Sequence, residues 1–264
     1  MNFDYSLLLA PLVAGLLVIA THVPLGLEVL KRGIIFIDLA IAQVAGLGVI
    51  AALLMDWDSP LAVQGSAAAA ATLGAVFLHW TERRWPQVQE ALIGLLFVTA
   101  AAAGILLLAG NPHGGEHLQE LLAGQILWVG WAQLWPVAAV YAVLLGLWVF
   151  AREKLGRIGF YLLFAFAVTA SVQLVGVLLV FASLIAPAVA VSALARGRIF
   201  FAVMLGCGAY ALGLVLSAIF DLPAGAAIVC CLVGLSFITL VLTSRSATPG
   251  VAQSCRRGTG EAPH

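Results

Sequence analysis

The chain has 264 residues, of which 63% are hydrophobic and only 9% are charged, and its formal net charge is zero. This composition excludes an ordinary soluble domain, in which about 25% of residues are charged. Apolar runs of about 20 residues, long enough to cross a hydrocarbon core of about 30 Å, recur along the whole chain. Because these runs do not alternate with polar residues as barrel strands do, the sequence predicts an all-α polytopic membrane protein.

In chain order, the apolar runs predict nine membrane spans followed by a short polar tail. The first run lacks the basic flank and cleavage site of a signal peptide, which indicates a retained span. Eight spans is the alternative, because the chain has to cross twice within 158–195 with a tight bend near Gln173 and Gly176. Residues 1–243 then form the membrane domain, and the polar residues 244–264 are expected to be a disordered tail. The predicted spans lie near 7–27, 33–55, 60–80, 88–109, 123–150, 158–173, 175–195, 199–220 and 224–243.

The charged residues predict how these spans are oriented. With the N-terminus outside, all twelve basic residues fall on one side, and the opposite side carries acidic residues and no Lys or Arg. The positive-inside rule makes the basic side cytoplasmic, so we predict a periplasmic N-terminus and a cytoplasmic C-terminus. The basic groups are Lys31 and Arg32; Arg83 and Arg84; Arg152, Lys154 and Arg157; Arg196 and Arg198; and Arg245, Arg256 and Arg257. The acidic residues opposite are Asp4, Asp56, Asp58, Glu116, Glu120 and Asp221.

The sequence lacks the motifs of several enzyme classes. Neither of the two lysines, Lys31 and Lys154, follows a glycine, so a Walker A loop that would bind ATP phosphates is absent. The run HGGEH at 113–117 is not the HExxH motif of metalloproteases, and no GxSxG occurs. We therefore expect a membrane pathway without a resident cofactor and without enzymatic activity. Transport through it would be powered either by the chain itself or by a partner protein.

Two acidic residues within predicted spans are the main candidates for a transport pathway, because charged groups there are costly and usually face one. Asp38 lies six residues after Arg32, and Glu90 lies six residues after Arg84, so both have a similar depth from the basic side. The alternative is that each carboxylate reaches the interface or balances the nearby arginines. Glu90 is the weaker candidate, because the first turn of a helix favours an anion in any case.

Two amides and one histidine are the next polar residues of interest. Gln43 follows Asp38 by five residues, which places the two on different faces of a regular helix. Gln173 lies at the predicted bend, where its simplest role is to satisfy backbone groups. His22 precedes Pro24, a pattern that fits a proline kink better than a broken helix around a cavity.

The predicted outside loop contains further potential metal ligands. His113, Glu116 and His117 supply imidazole and carboxylate groups, which suit zinc or manganese. Together with Asp38 they make up the candidate metal ligands of the chain. The alternative is that this loop is merely polar and solvated.

Several ordered fragments resemble the permeases of ABC-type zinc/manganese importers. The resemblance runs from about residue 11 to 242, and its most specific part is the run VGVLL that ends in Ala-Pro-Ala, followed by Asp-Leu-Pro-Ala-Gly. The fragments are PLGLEVLKRGIIFID, EALIGLLF, LLAGQILWVGWAQL, VQLVGVLLVFASLIAPAVAV and FDLPAGAAIVCCLVG.

The resemblance implies a permease homodimer in the bacterial inner membrane. Two cytoplasmic ATPase subunits would dock on it, and a periplasmic metal-binding protein would deliver the cargo, with zinc expected ahead of manganese. The missing Walker A loop fits this arrangement, because a separate chain hydrolyses ATP. By the same resemblance, the segment that couples to the ATPase corresponds to residues 152–159, with Arg152, Glu153, Lys154 and Arg157 as its charged members.

The chain departs from this family's pattern in two places. The family's second span carries a Gly-Asp pair and a His four residues after the Asp. Alignment without gaps puts Asp38 at the Gly position, Leu39 at the Asp position and Gln43 at the His position. The coupling segment is also shorter than usual. These differences predict a divergent member with altered ligation on the second span.

Two further hypotheses remain open from the sequence. One is a self-sufficient secondary transporter or channel, against which stands the lack of an internal repeat. The other is an ABC permease for another cargo, such as a metal chelate, which the missing span-two histidine keeps under consideration.

Overall fold

The computed structural model is helical throughout the residues that it describes, which are 6–57, 59–109, 124, 126–194 and 196–246. No strand occurs among these residues, which confirms the predicted all-α fold class. The helices are α1 (Ser6–Arg32), α2 (Ile37–Leu54), α3 (Pro60–Arg84), α4 (Gln89–Leu108), α5 (Trp131–Val175), α6 (Val177–Ala190), α7 (Arg198–Phe220) and α8 (Ala224–Ser246), with 3-10 turns at Pro86–Val88 and Ile126–Trp128.

Eight helical segments in the described part of the chain are long and apolar enough to cross a membrane. Helix α5 supplies two of them, Trp131–Phe150 and Gly156–Val175, because its backbone leaves the helical region at Gly156 (φ 59°, ψ −160°). The seventh predicted span, 175–195, forms a helix, α6, but this helix has only 14 residues, or about 21 Å at 1.5 Å per residue. Eight described segments therefore have the length of a full span, and α6 is a ninth apolar helix that is shorter than one.

The second segment of α5 and helix α6 form a hairpin that begins and ends at the same end of the bundle. Near the start of this segment, the Arg32 guanidinium lies 4.2 Å from the centre of the Phe160 ring. Gly26, earlier in α1, packs directly against the carbonyl oxygen of Leu184 in α6. Helix α6 thus runs back along α1 toward Arg32, so the chain after α6 returns to that end even though α6 is short.

The bend of this hairpin is covered by protein. Gly176 forms the bend with φ 83°, a backbone conformation that favours glycine. A methyl group on Gly124 would lie 2.2 Å from the carbonyl carbon of Val175, so the backbone before the second 3-10 turn lies directly on the bend. Irregular backbone at membrane depth is tolerated where protein covers it, which explains why α6 can be shorter than a full span.

Helices α1 and α2 and the second segment of α5 form the centre of the bundle. In an 18-residue apolar window of Gly156–Val175, 72% of residues are buried, against 17% in the corresponding windows of Trp131–Phe150 and Ala224–Thr243. The outer helices expose large apolar side chains, as lipid-facing helices do. A polar side chain on an inner helix is thus enclosed by protein rather than by lipid or water.

The two ends of the bundle differ in charge. The basic end holds Arg32, Arg84 and Arg157, and an Arg157 guanidinium nitrogen lies 3.9 Å from a carboxylate oxygen of Glu82. The acidic end holds Asp56 and Asp221. That the basic end faces the cytoplasm stays a prediction. Helix α8 continues to Ser246, three residues past the predicted start of the tail, and 247–264 lie outside the described residues.

Candidate functional site

Asp38 is buried on an inner helix without any partner for its charge. It occupies the first turn of α2, its side chain is 0% exposed, and neither carboxylate oxygen has a hydrogen-bond partner among the described residues. A carboxylate removed from water without a donor or a cation is strongly unfavourable. Asp38 is therefore a carboxylate that the described residues leave uncompensated, and it stays a candidate for the pathway.

Glu90 lies close to Asp38 but has a different environment. One of its carboxylate oxygens, Oε1, accepts the backbone N–H of Phe36 at 3.2 Å, and Phe36 is the N-cap residue of α2. The N-cap of α2 has no side-chain cap of its own, so a carboxylate from α4 takes that role. The other oxygen, Oε2, is buried without a hydrogen bond. Through this hydrogen bond, Glu90 holds the first turn of α2, which carries Asp38.

We expect Glu90→Ala to lower the free energy of unfolding by about 1–2 kcal/mol, because the Phe36 N–H loses its acceptor. Glu90→Gln keeps a carbonyl oxygen at that point and is expected to lose less. Thermal unfolding of the purified protein in detergent measures both effects. Wild-type stability of the alanine variant would contradict the positioning role, and lost uptake by a fully stable glutamine variant would indicate a pathway role instead.

Gln173 is paired with a residue that the sequence did not single out. The side-chain amide of Gln64, near the start of α3, donates a hydrogen bond to the Oε1 atom of Gln173, and both side chains are exposed on the single protomer. Gln64 could have been noticed as an uncharged polar residue early in an apolar span. An exposed amide pair is unfavourable against lipid, which indicates that this patch faces water or another protein surface.

The structure does not bring the predicted pathway residues into one cluster. Gln173 pairs with Gln64 in the fifth position of α3, toward the acidic end, whereas Asp38 begins α2 at the basic end. Gln43 is half-buried between these levels on α2. The described polar groups are thus spread along the depth of the bundle.

His22 belongs to a closed hydrogen-bond network. Helix α1 continues through Pro24, and the fully buried His22 ring lies between α1 and α5. Its Nδ1 atom is 3.0 Å from the carbonyl oxygen of Val18, and its Nε2 atom is 3.1 Å from the Ser171 hydroxyl. That hydroxyl also bonds to the Tyr141 hydroxyl. The Ser171 hydroxyl also lies 2.6 Å from the Ala167 carbonyl oxygen, and Nδ1 lies 2.9 Å from the Thr21 hydroxyl. Both ring nitrogens are thus engaged in hydrogen-bond contacts, and neither is free for a metal.

The predicted coupling segment lies between the two spans of α5, at the basic end. Gly156 interrupts the helix within this segment, and Lys154 and Arg157 are exposed, with 68% of the Arg157 side chain accessible. The side chains of Arg152 and Glu153 lie outside the described residues. The position and charge of the segment fit a docking surface for another protein.

The candidate metal ligands of the outside loop, His113, Glu116 and His117, also lie outside the described residues. Among the side chains that are described, no group of three or more His, Cys, Asp and Glu is close enough to hold a metal ion. A passing ion would therefore meet single carboxylates or pairs of ligands within the described helices.

Comparison with known proteins shows which family this arrangement represents. The model of the ABC 3 transport family matches residues 4–161 and 152–243, which together include all eight helices. The chain belongs to the ABC 3 transport family. The resemblance to metal ABC permeases drawn from the sequence is thereby confirmed, and the protein is a multi-pass permease subunit.

Two curated relatives of this ABC 3 permease are 26% identical to it. One is a manganese transport system membrane protein of Halalkalibacterium halodurans, matched over 249 residues, or 86% of this chain and 84% of the relative. The other, from Haemophilus influenzae, is described as a probable iron transport system membrane protein and is matched over 163 residues, or 53% of this chain and 60% of the relative. The permease thus spans less than two thirds of the second relative's length.

Two solved structures share the fold of the permease. The structure of PsaBC from Streptococcus pneumoniae in complex with Fab has a TM-score of 0.71 and 22% identity, covering 89% of this chain and 91% of that one. A structure described as an inward-facing, metal-chelate type ABC transporter has a TM-score of 0.55 and 14% identity, covering 90% of this chain and 83% of that one. At these identities the likeness concerns the fold.

Proposed function

We propose that this permease forms the membrane pathway of an importer that moves a divalent transition metal ion from the periplasm to the cytoplasm of a bacterium. Family membership supports the transport role, and the names of the manganese and iron relatives support a metal cargo. The observation that carries the proposal is the fully buried Asp38 carboxylate without a partner. A cation passing along α2 would supply the missing charge.

The donor atoms on the inner helices indicate which metal ions the pathway would favour. Asp38 and Gln43 offer oxygen, and both ring nitrogens of His22 are engaged in hydrogen bonds. Oxygen donors suit manganese better than they suit zinc. The proposal therefore ranks manganese beside zinc, which the sequence placed first, and it includes iron(II) because of the name of the iron transport relative.

A second copy of the chain is part of the proposal. The exposed pair of Gln64 and Gln173 is unfavourable against lipid but suits a water-filled pathway or a seam between two protomers. We propose a homodimer in which these amides face that space.

The other proposed partners follow from the two ends of the bundle. An ATPase subunit would dock at the basic end on residues 152–159, where Lys154 and Arg157 are exposed. This chain has no Walker A loop, so ATP hydrolysis falls to that subunit. A metal-binding protein would deliver the ion to the acidic end.

Transport by reconstituted protein tests the proposal. The permease and its proposed ATPase partner would be placed in liposomes, with the metal-binding protein added outside, and accumulation of manganese, iron(II) and zinc would be measured with and without ATP. We expect accumulation of at least one of these ions that requires ATP and both partners. The control is the same complex with an ATPase variant that binds but does not hydrolyse ATP.

Two outcomes would contradict the proposal. Uptake by the permease alone, driven by a proton or sodium gradient, would indicate a secondary transporter. ATP-dependent uptake of a metal only as its chelate, with no uptake of the free ions, would assign the chain to another cargo.

A further inference from the structure

A second group of unpartnered polar atoms lies at the basic end, separate from Asp38. His79 and Glu82 stand three residues apart on α3, so their side chains share one face of that helix. The Nδ1 atom of His79 and the Oε2 atom of Glu82 are each buried and have no hydrogen-bond partner among the described residues. The two atoms face each other at 3.9 Å.

Two further helices direct unused polar atoms toward this pair. The Tyr161 side chain from α5 is 0% exposed, its ring centre lies 5.7 Å from that of His79, and its hydroxyl makes no hydrogen bond of good geometry within the described structure. Gln89 at the start of α4 is buried and uses its amide nitrogen on the Leu78 carbonyl, which leaves its Oε1 atom unpartnered. The Tyr161 hydroxyl is within electrostatic reach of both Glu82 and Gln89. Three helices thus converge on one polar pocket.

The separation of the His79 and Glu82 atoms suits a shared ion. At 3.9 Å the pair is too long for a hydrogen bond, which needs about 3.2 Å or less. Two tetrahedral ligands that each lie about 2.0–2.2 Å from one metal ion are about 3.3–3.6 Å apart, so a shift of a few tenths of an ångström would let the two atoms share an ion. Imidazole nitrogen together with carboxylate, amide and phenol oxygen is a donor set that binds manganese, iron(II) or zinc.

The small number of ligands indicates that such a site would bind an ion weakly and release it readily. Only His79 and Glu82 are strong ligands here, since no third His, Cys, Asp or Glu joins them in the described part of the chain. A transport site must bind an ion strongly enough for entry and weakly enough for release. A two-ligand site fits the point where an ion leaves.

We propose that His79 and Glu82, assisted by Tyr161 and Gln89, form a second, weak binding site for the transported metal at the basic end of the permease. The proposal rests on the proposed metal transport for the identity of the ion. The other oxygen of Glu82, Oε1, lies 3.9 Å from the exposed guanidinium of Arg157. Arg157 competes with the ion for Glu82, so the occupancy of the site depends on the segment where the ATPase is proposed to dock.

Cobalt(II) is the probe for this site, because its visible absorption reports nitrogen and oxygen ligation directly. The protein would be purified without a histidine tag and with His113, His117 and His264 changed to asparagine, so that His22 and His79 are the remaining histidines. In that background, Asp38→Asn and Glu116→Gln remove the other two candidate ligands. We expect this protein to bind one cobalt ion per chain.

Single substitutions in this background give the decisive comparison. His79→Gln and Glu82→Gln are each expected to weaken cobalt binding at least tenfold and to change its absorption spectrum. Arg157→Gln is expected to strengthen binding severalfold, because the competitor for Glu82 is removed. The matched control is Glu28→Gln, which removes another carboxylate that pairs with an arginine, Arg32, at the same end and should leave binding unchanged.

The outcomes separate this inference from the proposed function. Unchanged cobalt binding in folded Glu82→Gln and His79→Gln variants would overturn the site while leaving metal transport intact. If both variants failed to fold, weaker or unchanged binding in Arg157→Gln would overturn it equally. Cobalt binding that depends on His79, in a protein that transports no metal, would uphold the site and refute the proposed function.

Discussion

Replacing Asp38 with asparagine is expected to abolish metal uptake while leaving the permease at least as stable as the wild type. The carboxylate is fully buried and neither oxygen has a partner, so its removal breaks no described hydrogen bond or ion pair. An unpaired buried charge is unfavourable, and its removal is expected to change the free energy of unfolding by between 0 and about +3 kcal/mol. Uptake should fall at least about a hundredfold, as when an essential charge-assisted contact worth about 3 kcal/mol is lost.

Both quantities can be measured on the same preparation. ATP-dependent uptake into liposomes gives the transport rate, and thermal unfolding in detergent gives the stability. Asp56→Asn is the matched control, because Asp56 is exposed at the acidic end with φ 54°, a conformation that asparagine tolerates well. Wild-type uptake by Asp38→Asn would remove Asp38 from the pathway, and a marked loss of stability would show that the carboxylate has a structural partner.

Gly26→Ala is expected to prevent the permease from folding into its wild-type form. A methyl group at this position would lie 2.0 Å from the carbonyl oxygen of Leu184 and 2.9 Å from its carbonyl carbon. The conflict is between the backbones of α1 and α6, and a backbone cannot move aside as a flexible side chain can. We expect a loss of stability of about 3 kcal/mol or more, the upper range for overpacking in a buried contact.

Gly94→Ala is the matched control for this prediction. Gly94 lies in the interior of α4, and a methyl group there would meet no atom within 4 Å. Since alanine favours a helix by up to about 1 kcal/mol over glycine, this variant should be as stable as the wild type or more stable. Size-exclusion profiles and thermal unfolding distinguish the two variants. Equal yield and unfolding temperature for Gly26→Ala would refute the close contact of α1 and α6.

The sequence by itself predicted the helices and singled out the main candidate for the pathway, each for a simple physical reason. The thickness of the hydrocarbon core sets the length of a spanning helix, so hydropathy alone located every long helix of the described chain. Asp38 stood out because an acidic residue in an apolar run needs an explanation. The family resemblance was also recoverable from ordered fragments such as PLGLEVLKRGIIFID, and the family model confirms it.

The sequence could not show which polar groups would find partners, because partners come from distant parts of the chain. Glu90 and Asp38 looked alike by spacing from their arginines, yet one receives the Phe36 N–H and the other receives nothing. His22 was read as part of a proline kink, but Ser171, 149 residues away, completes its hydrogen bonds.

Tertiary structure also determined the length of α6 and the position of the second polar cluster, neither of which hydropathy could predict. Helix α6 is as apolar as a span but shorter, since the backbone at Gly124 covers the bend at Gly176 and the chain can turn inside the protein. The facing atoms of His79 and Glu82 are visible only once both side chains are placed and found without partners. Sequence determined which segments enter the membrane because that depends on composition and length. The packing of those segments decided which charges are left uncompensated, because compensation depends on neighbours that are distant along the chain.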